Sequence, residues 1–376
     1  PCGGTLPFHT STGVTHYYGV GAYLRPVSDL RQADVKFTPE CLGFSNVPES
    51  ATVDAIMQGG RAVTHDPRWK ARVPRDTGAG WDFEDVRDHY FQEIYGQDSV
   101  KFRYRDPVRY LELSRCVPGE MMTRAFAEWR SLHSRNRGAL IWFYKDLWPA
   151  AGWGIVDSNG IPKATWYYLK RMWQPRQLTV TDEGLNGLHL HLINESSSPV
   201  KGRLEVRLLK EPSLTVVKQE IEVEVPARSK ILKTADEILG GFYDVSYAYR
   251  FGPAHHDVAV ATWYDADGRI ISQGCHFIGE RNLHPQPVQS SAGKVEASAR
   301  ECGDGCYEVT IRAERFLHAV RVNARNMLPD DNYFHLPPGE EKRVKFRPIG
   351  PISAFRGEIE ALNLELTGIP VEQKAG

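Results

Sequence analysis

The 376-residue chain contains no run of about 18 apolar residues, so no membrane-spanning helix is expected. Neither sign of charge is in excess: Lys plus Arg number 46 and Asp plus Glu 47. That balance offers no basic face for nucleic acid and no electrostatic pull toward an anionic membrane surface. Cysteine is sparse and scattered (Cys2, Cys41, Cys116, Cys275, Cys302, Cys306), and a chain long enough for two or three domains with sizeable cores needs no disulfide scaffold. Cys302 and Cys306 flank Gly303-Asp304-Gly305, a spacing that leaves a small hairpin bridge open. A phosphate-cradling loop is absent, because Gly19-Val20-Gly21 lacks a third glycine and a following helix start. His189 with His191, and His255-His256-Asp257, lack a cysteine or carboxylate set at ligand spacing, so satisfied or exposed histidines are expected. Asp330-Asp331-Asn332 lacks the later glycine and glutamate of a calcium loop and reads as a turn.

Aromatic residues, in contrast, are plentiful at 11 %, with Trp 9 and Tyr 16. They concentrate in residues 138–170. Ala139–Phe143 reads as a short buried strand bearing Trp142, followed by Trp148-Pro149, Trp153 and a helix over Pro162–Trp173. A strand that delivers aromatics and an acid to its C-terminal end, then a helix, is how a βα barrel builds the floor of a site. Flat aromatic faces beside carboxylates suit a sugar ring, whose C–H bonds pack on π-faces while its hydroxyls take hydrogen bonds. Core packing accounts for Trp148 and Trp153 equally well. Nearer the front, Val14–Gly21 reads as a strand, Arg25–Ala33 as a short helix with Ser28 as cap, and Val35–Cys41 as the next strand. Glu40 stands at the tip of that second strand, the catalytic face in a barrel.

Residues 49–106 are rich in glycine, proline and charge. Phe83, Val86, Tyr90, Phe91 and Ile94 keep helical spacing after an Asp82 cap. His65, Trp69, Trp81 and Asp82 are candidates to reach a substrate; a self-packed insertion shaping the rim is the alternative. A helical stretch from Asp106-Pro107 to about His133, interrupted at Pro118-Gly119, presents Leu111, Met122, Phe126 and Trp129 on one face. From about residue 176 the period changes to two, through Leu188–Leu192, Leu204–Leu208, Ile221–Val225, Phe242–Arg250, Val258–Tyr264 and Ile270–Phe277. A proline-rich link, His284-Pro285-Gln286-Pro287, precedes a second set: Lys294–Ala299, Tyr307–Ala313, His318–Asn323, Arg343–Arg347 and Glu358–Leu366. Such series indicate β-sandwiches.

The blocks Gly138-Ala139-Leu140-Ile141-Trp142, Asp146-Leu147-Trp148-Pro149, Trp153, Asp157 and Gly160-Ile161-Pro162-Lys163 resemble the last barrel strand and helix of glycoside hydrolase family two, in its β-mannosidase branch. His16-Tyr17-Tyr18-Gly19-Val20 and Phe37-Thr38-Pro39-Glu40 resemble two earlier strands, and Pro329–Glu340 resembles the signature of the terminal sandwich. The resemblance implies that Glu40 is the nucleophile of a retaining exo-β-glycosidase, that His16 and Tyr18 hold sugar hydroxyls, and that Trp142 is the platform beneath the ring. It implies no cofactor and no metal. Tyr18 stands where tryptophan is common, Pro39 where serine is usual, and Cys41–Pro48 differs from the usual run, which leaves the sugar open.

The family's acid/base glutamate follows an asparagine on an earlier barrel strand. Asn194-Glu195, the one Asn-Glu pair here, lies in the alternating β segment and does not match it. About three barrel strands precede the β-rich region, against the eight a closed barrel needs. The expectation is therefore a C-terminal piece of a longer polypeptide: residues 1–175 the C-terminal part of a (β/α)8 TIM barrel, 176–284 an immunoglobulin-like sandwich, and 288–376 a terminal one. The implied partners are a β-mannoside or related oligosaccharide and the remainder of the same polypeptide. An exo-β-glucosaminidase, a β-galactosidase, and a non-catalytic carbohydrate-binding or scaffold module are the competing readings. Asn194-Glu195-Ser196 is also a glycosylation sequon.

Overall fold

The computed structural model describes residues 2–3, 9–60, 64–281, 283, 285, 287, 293–351, 354–365 and 369–373. The chain divides into two compact units. One comprises Pro1–Asp182, His189–Val200 and Glu224–Lys233; the other comprises Glu183–Leu188, Lys201–Val223 and Thr234–Gly376.

The first unit opens with β1 (Cys2–Gly3), antiparallel to β2 (Val14–Thr15), then α1 (Asp29–Ala33) and β3 (Thr38–Cys41). Helices α2 (Ser50–Met57), α3 (Pro67–Lys70), α4 (Phe83–Tyr95), α5 (Ser99–Arg105) and α6 (Pro107–Arg130) follow, then β4 (Ala139–Ile141) and α7 (Ala164–Met172). β3 and β4 run parallel, with Thr38 opposite Ala139 and Cys41 opposite Ile141. The chain beyond β2 joins β3 in the same direction through Tyr17 and Cys41.

The strand read over Val14–Gly21 is shorter than its composition suggests. After Tyr17 the backbone turns, with the Tyr23 N–H bonded to the Tyr18 carbonyl at 3.0 Å. The helix read from Arg25 begins at Asp29, and Ser28 makes no side-chain cap bond, because Ser28 itself has helical dihedrals. The strand carrying Trp142 is half-buried rather than buried: Leu140 is 58 % exposed, and among the described residues β3 is the only strand beside β4. Helix α6 is not interrupted at Pro118; it runs unbroken through it. Proline removes one helical N–H, but the turn is covered by packing, since a Cβ on Gly119 would lie 2.4 Å from the Tyr168 ring of α7.

Helix α4 follows its sequence signals closely. The Asp82 carboxylate accepts from the Glu84 and Asp85 N–H groups, and the Asp85 side chain accepts from the Asp82 N–H, a reciprocal cap. Its buried face carries charge as well as apolar residues. Arg87 donates to Glu84 at 2.8 Å, to the Tyr110 hydroxyl at 3.2 Å and to the Ser45 hydroxyl at 3.0 Å. Asp88 accepts from the Tyr110 hydroxyl and lies 3.4 Å from Arg103. Burial pushes the Asp88 carboxyl up to about 6, against the opposing pull of Arg87 and Tyr110.

Five strands continue the chain: β5 (Arg176–Asp182), β6 (Leu188–Asn194), β7 (Val200–Lys210), β8 (Leu214–Val225) and β9 (Ser229–Thr234). β5, β6 and β9 form a three-stranded sheet. His191 lies buried in it, its Nδ1 accepting from the Leu132 N–H at 3.2 Å and its Nε2 3.0 Å from the Thr181 hydroxyl. Asn194 is also buried, and its amide donates to the carbonyls of Ser198, Val225 and Pro226. The sequon asparagine is therefore inaccessible in the folded chain.

In the second unit, α8 (Ala235–Leu239) precedes β10 (Val258–Asp265) and β11 (Ile270–Phe277), and the sheet order is β11-β10-β7-β8. Phe242–Arg250, read as a strand, is a turn. Tyr247 and Arg250 are left-handed, and the Asp244 carboxylate accepts from the Tyr249 and Arg250 N–H groups. A side chain that hydrogen-bonds nearby backbone competes with sheet pairing. Of the charges alternating along β7, Glu205 and Arg207 are buried: Glu205 pairs with Arg207 at 3.0 Å and with Lys218 at 3.0 Å, while Arg207 also meets Glu340.

The remaining strands are β12 (Val295–Gly303), β13 (Cys306–Ala313), β14 (Leu317–Ala324), β15 (Met327–Pro329), β16 (Phe334–Leu336), β17 (Glu341–Pro348), β18 (Gly357–Glu360), β19 (Ile369–Pro370) and β20 (Glu372–Gln373). They make a five-stranded sheet, β15-β17-β13-β12-β20, and a four-stranded sheet, β16-β14-β18-β19. One core joins the two, with Val309, Ile311, Val344 and Phe346 from the first and Leu317, Val320, Val322 and Ile359 from the second. Asp330-Asp331-Asn332 is a turn, in which the Asn332 side-chain amide oxygen accepts from the Val322 N–H at 2.7 Å. Cys302 and Cys306 are separate thiols at the β12–β13 hairpin. Of the proline-rich link, His284 and Gln286 lie outside the described residues.

Gly119→Ala is expected to destabilise the chain by about 1–3 kcal/mol, by driving a methyl into Tyr168; a lower denaturant midpoint checks this. For Asp88 the folded carboxyl holds its proton more tightly than the unfolded one. Its stabilising contribution is full below about pH 4 and lost as pH rises through about 6. Asp88→Asn should therefore gain on wild type, by on the order of 2 kcal/mol, between pH 4.5 and pH 7. Parallel pH–stability curves for the two proteins would contradict this.

Candidate active site

Three chain segments lie side by side in one direction. The Thr15 N–H bonds to the Phe37 carbonyl, the Tyr17 N–H to the Glu40 carbonyl, the Leu42 N–H to the Tyr17 carbonyl and the Trp142 N–H to the Cys41 carbonyl, each at 3.0 Å. The same end of this ladder thus carries Tyr18, Glu40 and Trp142. Side chains alternate faces along an extended chain. Tyr17 faces the helices, donating to Asp29 at 2.7 Å and meeting the Trp129 ring edge-on at 5.8 Å. His16 and Tyr18 face Glu40.

The Glu40 side chain is 29 % exposed. One carboxylate oxygen accepts from the Tyr18 hydroxyl, and the other lies 3.4 Å from the His16 Nδ1. Burial raises the Tyr18 phenol far above its ordinary value, and the Glu40 carboxylate it donates to raises it further. Tyr18 is therefore a proton-bearing donor at every physiological pH. Immediately after β3 the backbone reverses through left-handed Leu42 and Gly43. Gly43 combines positive φ with close approach, since a Cβ there would stand 3.2 Å from the Tyr18 ring and 3.5 Å from Phe83.

Trp142 is partly exposed, and its ring meets Trp153 edge-on at 5.8 Å; the Trp142–Phe143 peptide is cis. Trp153 in turn packs edge-on against Phe83 at 5.0 Å. The loops following β3 and β4 are stitched together. Asn46 receives the Lys163 ammonium at its carbonyl (2.9 Å), donates its N–H to Gly152 (2.7 Å) and its amide to Trp153 (3.0 Å). Ser45 donates to the Ala151 carbonyl at 2.7 Å. Lys163, with 1 % of its side chain exposed, also pairs with Asp146 at 2.5 Å. Burial lowers the Lys163 ammonium and raises the Asp146 carboxyl, while their mutual attraction opposes both shifts.

Sequence reasoning named Glu40, His16, Tyr18 and Trp142, and the fold brings the first three into contact and sets Trp142 on the neighbouring strand. Trp153 packs against Trp142, whereas Trp148 is 55 % exposed. The insertion candidates separate. Trp69 is a core residue whose indole donates to Glu84 at 3.0 Å, Asp82 is a helix cap paired with Lys70, and His65 stacks on Tyr104 at 4.5 Å. Trp81 remains partly exposed and touches Phe83. Phe83, Asn46 and Lys163 were missed as site-forming residues. Their signal was faint: Ser45-Asn46 is a polar pair inside an apolar run, and Lys163 follows a proline before a helix. Glu195 pairs with Arg130 at 2.9 Å, away from the ladder in sequence and sheet.

Residues 291–363 match the Ig_mannosidase family, an Ig-fold domain. Beta-mannosidase B of Aspergillus terreus is 25 % identical over 258 residues, covering 62 % of this chain and 28 % of that protein. Beta-mannosidase B of Thermothelomyces thermophilus is 28 % identical over 156 residues, 40 % of this chain and 17 % of that one. The chain thus spans less than a third of the curated relatives it matches. Among solved structures, a beta-D-mannosidase from Dictyoglomus thermophilum superposes over 97 % of this chain and 42 % of its own, with a TM-score of 0.77 at 17 % identity. An exo-chitosanase of Amycolatopsis orientalis covers 89 % of this chain and 42 % of its own, with a TM-score of 0.64 at 15 % identity. By these matches the chain is β-mannosidase-like and resembles the C-terminal portion of glycoside hydrolase family two.

Proposed function

We propose that the chain belongs to a retaining exo-β-glycosidase that hydrolyses terminal non-reducing β-D-mannosyl residues. The observation that carries the reading is the Glu40 carboxylate, half-exposed at a parallel strand end, met by the Tyr18 hydroxyl and by His16. In this reading Glu40 attacks the anomeric carbon and forms a glycosyl-enzyme. Tyr18, held protonated, donates to the carboxylate and orients it. His16 and Tyr18 take sugar hydroxyls, and Trp142 lies under the ring. The β2, β3 and β4 segments are three strands of a βα barrel, and the sheets beyond residue 176 form two immunoglobulin-like domains.

Retaining hydrolysis needs a second carboxylate roughly 5 Å from the first, to protonate the leaving oxygen and then activate water. We assign that group to a further part of the same polypeptide, because the one Asn-Glu pair here holds a buried asparagine and a glutamate bound to Arg130. The sugar itself is the least constrained element, since Tyr18 and Pro39 depart from the commonest family residues. Aryl glycosides of mannose, glucosamine and galactose separate the mannosidase from its two nearest alternatives.

Residues 1–376 alone should not turn over aryl β-mannosides, whereas the complete polypeptide should; turnover by the isolated chain would refute the division of the catalytic pair. In the complete polypeptide Glu40→Ala should lose at least about 10³-fold in kcat, and added azide should restore turnover with an α-mannosyl azide as product. A variant that azide leaves inactive, or that keeps wild-type rate, would remove Glu40 from the nucleophile role. Tyr18→Phe should cost about 10- to 100-fold, mostly in kcat; an unchanged rate would deny Tyr18 its part.

A further inference from the structure

In the insertion between β3 and α6, the Trp81 ring opens partly to solvent. Trp81 is 36 % exposed, one residue before the Asp82 cap of α4. Its ring meets Phe83 edge-on at 5.4 Å, Phe83 meets Trp153 at 5.0 Å, and Trp153 meets Trp142 at 5.8 Å. Phe83 also closes on Gly43, the residue against which the Tyr18 ring lies. Trp81 is therefore the solvent end of a continuous aromatic row whose inner end adjoins the Glu40 ladder. Its backbone is held on the following side by the reciprocal cap and by the Phe83 N–H bonded to the Pro74 carbonyl at 3.0 Å. A backbone so held leaves a ligand less freedom to remove on binding.

We propose that Trp81 is a specificity-determining residue that stacks against the second sugar of an oligosaccharide, so that the site favours β-linked manno-oligosaccharides over simple glycosides. The inference rests on the glycosidase reading. An exo-acting enzyme places the terminal sugar between the nucleophile and Trp142. In this proposal the leaving-group side lies outward along the same aromatic row, toward its solvent end at Trp81. A flat ring left partly in solvent offers the C–H face of a pyranose the contact it takes in a sugar site.

The test compares wild type, Trp81→Ala and Trp81→Phe in the complete polypeptide, using β-1,4-mannotriose and methyl β-mannoside, whose leaving group is too small to reach Trp81. For Trp81→Ala the kcat/KM on mannotriose should fall about tenfold more than on methyl β-mannoside, chiefly through KM, and Trp81→Phe should recover most of it. Equal changes on the two substrates would overturn the proposal. If wild type hydrolyses neither sugar, the glycosidase reading fails, and calorimetric titration with mannotriose decides the subsite by itself. Binding weakened about tenfold by Trp81→Ala then supports it, and equal binding by the two proteins, or none by wild type, sinks it.

Discussion

The front of this protein depends on one parallel backbone ladder. The Tyr17, Leu42 and Trp142 N–H groups each bond to a carbonyl of the neighbouring segment, and those bonds set the register of three short stretches of chain. Register decides chemistry here because side chains alternate with a period of two. A slip of one residue would send Tyr17 toward Glu40 and bury His16 and Tyr18 against helices. The carboxylate is thus placed by main-chain pairing, and its two side-chain partners inherit their positions from the same bonds. Tyr17, tied to Asp29 and packed on Trp129, locks the opposite face and makes the register costly to change.

Beyond the ladder, buried charge does what short strands cannot. The loops after β3 and β4 have little regular structure, yet the Lys163 ammonium gathers Asp146 and the carbonyls of Asn46 and Ala150 around itself. Taking a charged pair out of water is expensive, and stability is poor evidence for keeping one. What such a pair supplies is uniqueness: few loop conformations satisfy every donor and acceptor at once, and removing one partner strands the other. Arg87 acts in the same way from helix α4, reaching Ser45 in the first loop while pairing with Glu84. The insertion is therefore tied to the residues following Glu40 and does not hang free of them.

The second unit uses charge differently. Glu340, in the loop before β17, accepts from Arg207 of β7 and from Gln273 of β11. His318 of β14 lies 2.6 Å from Glu211, and Phe277 packs edge-on against Phe316. These contacts join the terminal sandwich to the sheet before it through paired polar groups around an aromatic patch, and Glu205 and Arg207 of β7 are hidden from water. The alternation announced a strand, but it did not say which of its faces would meet another sheet.

Local chemistry was legible wherever one short stretch carried the whole cause. The α4 cap at Asp82, the strands of period two, the helix after Pro162 and the Asp330–Asn332 turn all rest on neighbours in sequence. The resemblance of His16–Val20, Phe37–Glu40 and Gly138–Trp142 to family strands pointed to Glu40, His16, Tyr18 and Trp142 for the same reason: each motif is contiguous. What the sequence could not show was how far neighbours from elsewhere would override local preference. Pro118 sits inside an unbroken helix because Tyr168 packs on the adjacent turn, and Phe242–Arg250 bends because Asp244 captures its backbone. Asn194 loses its sequon role to carbonyls some thirty residues away. The sequence by itself determined the Asp82 cap of α4 and most strands of period two, and it singled out Glu40, His16, Tyr18 and Trp142 as candidates, since caps, periods and contiguous motifs are local. Only the tertiary structure decided that Lys163, Asn46 and Phe83 shape the same site, because long-range hydrogen bonds and ring contacts leave no periodic trace in the chain.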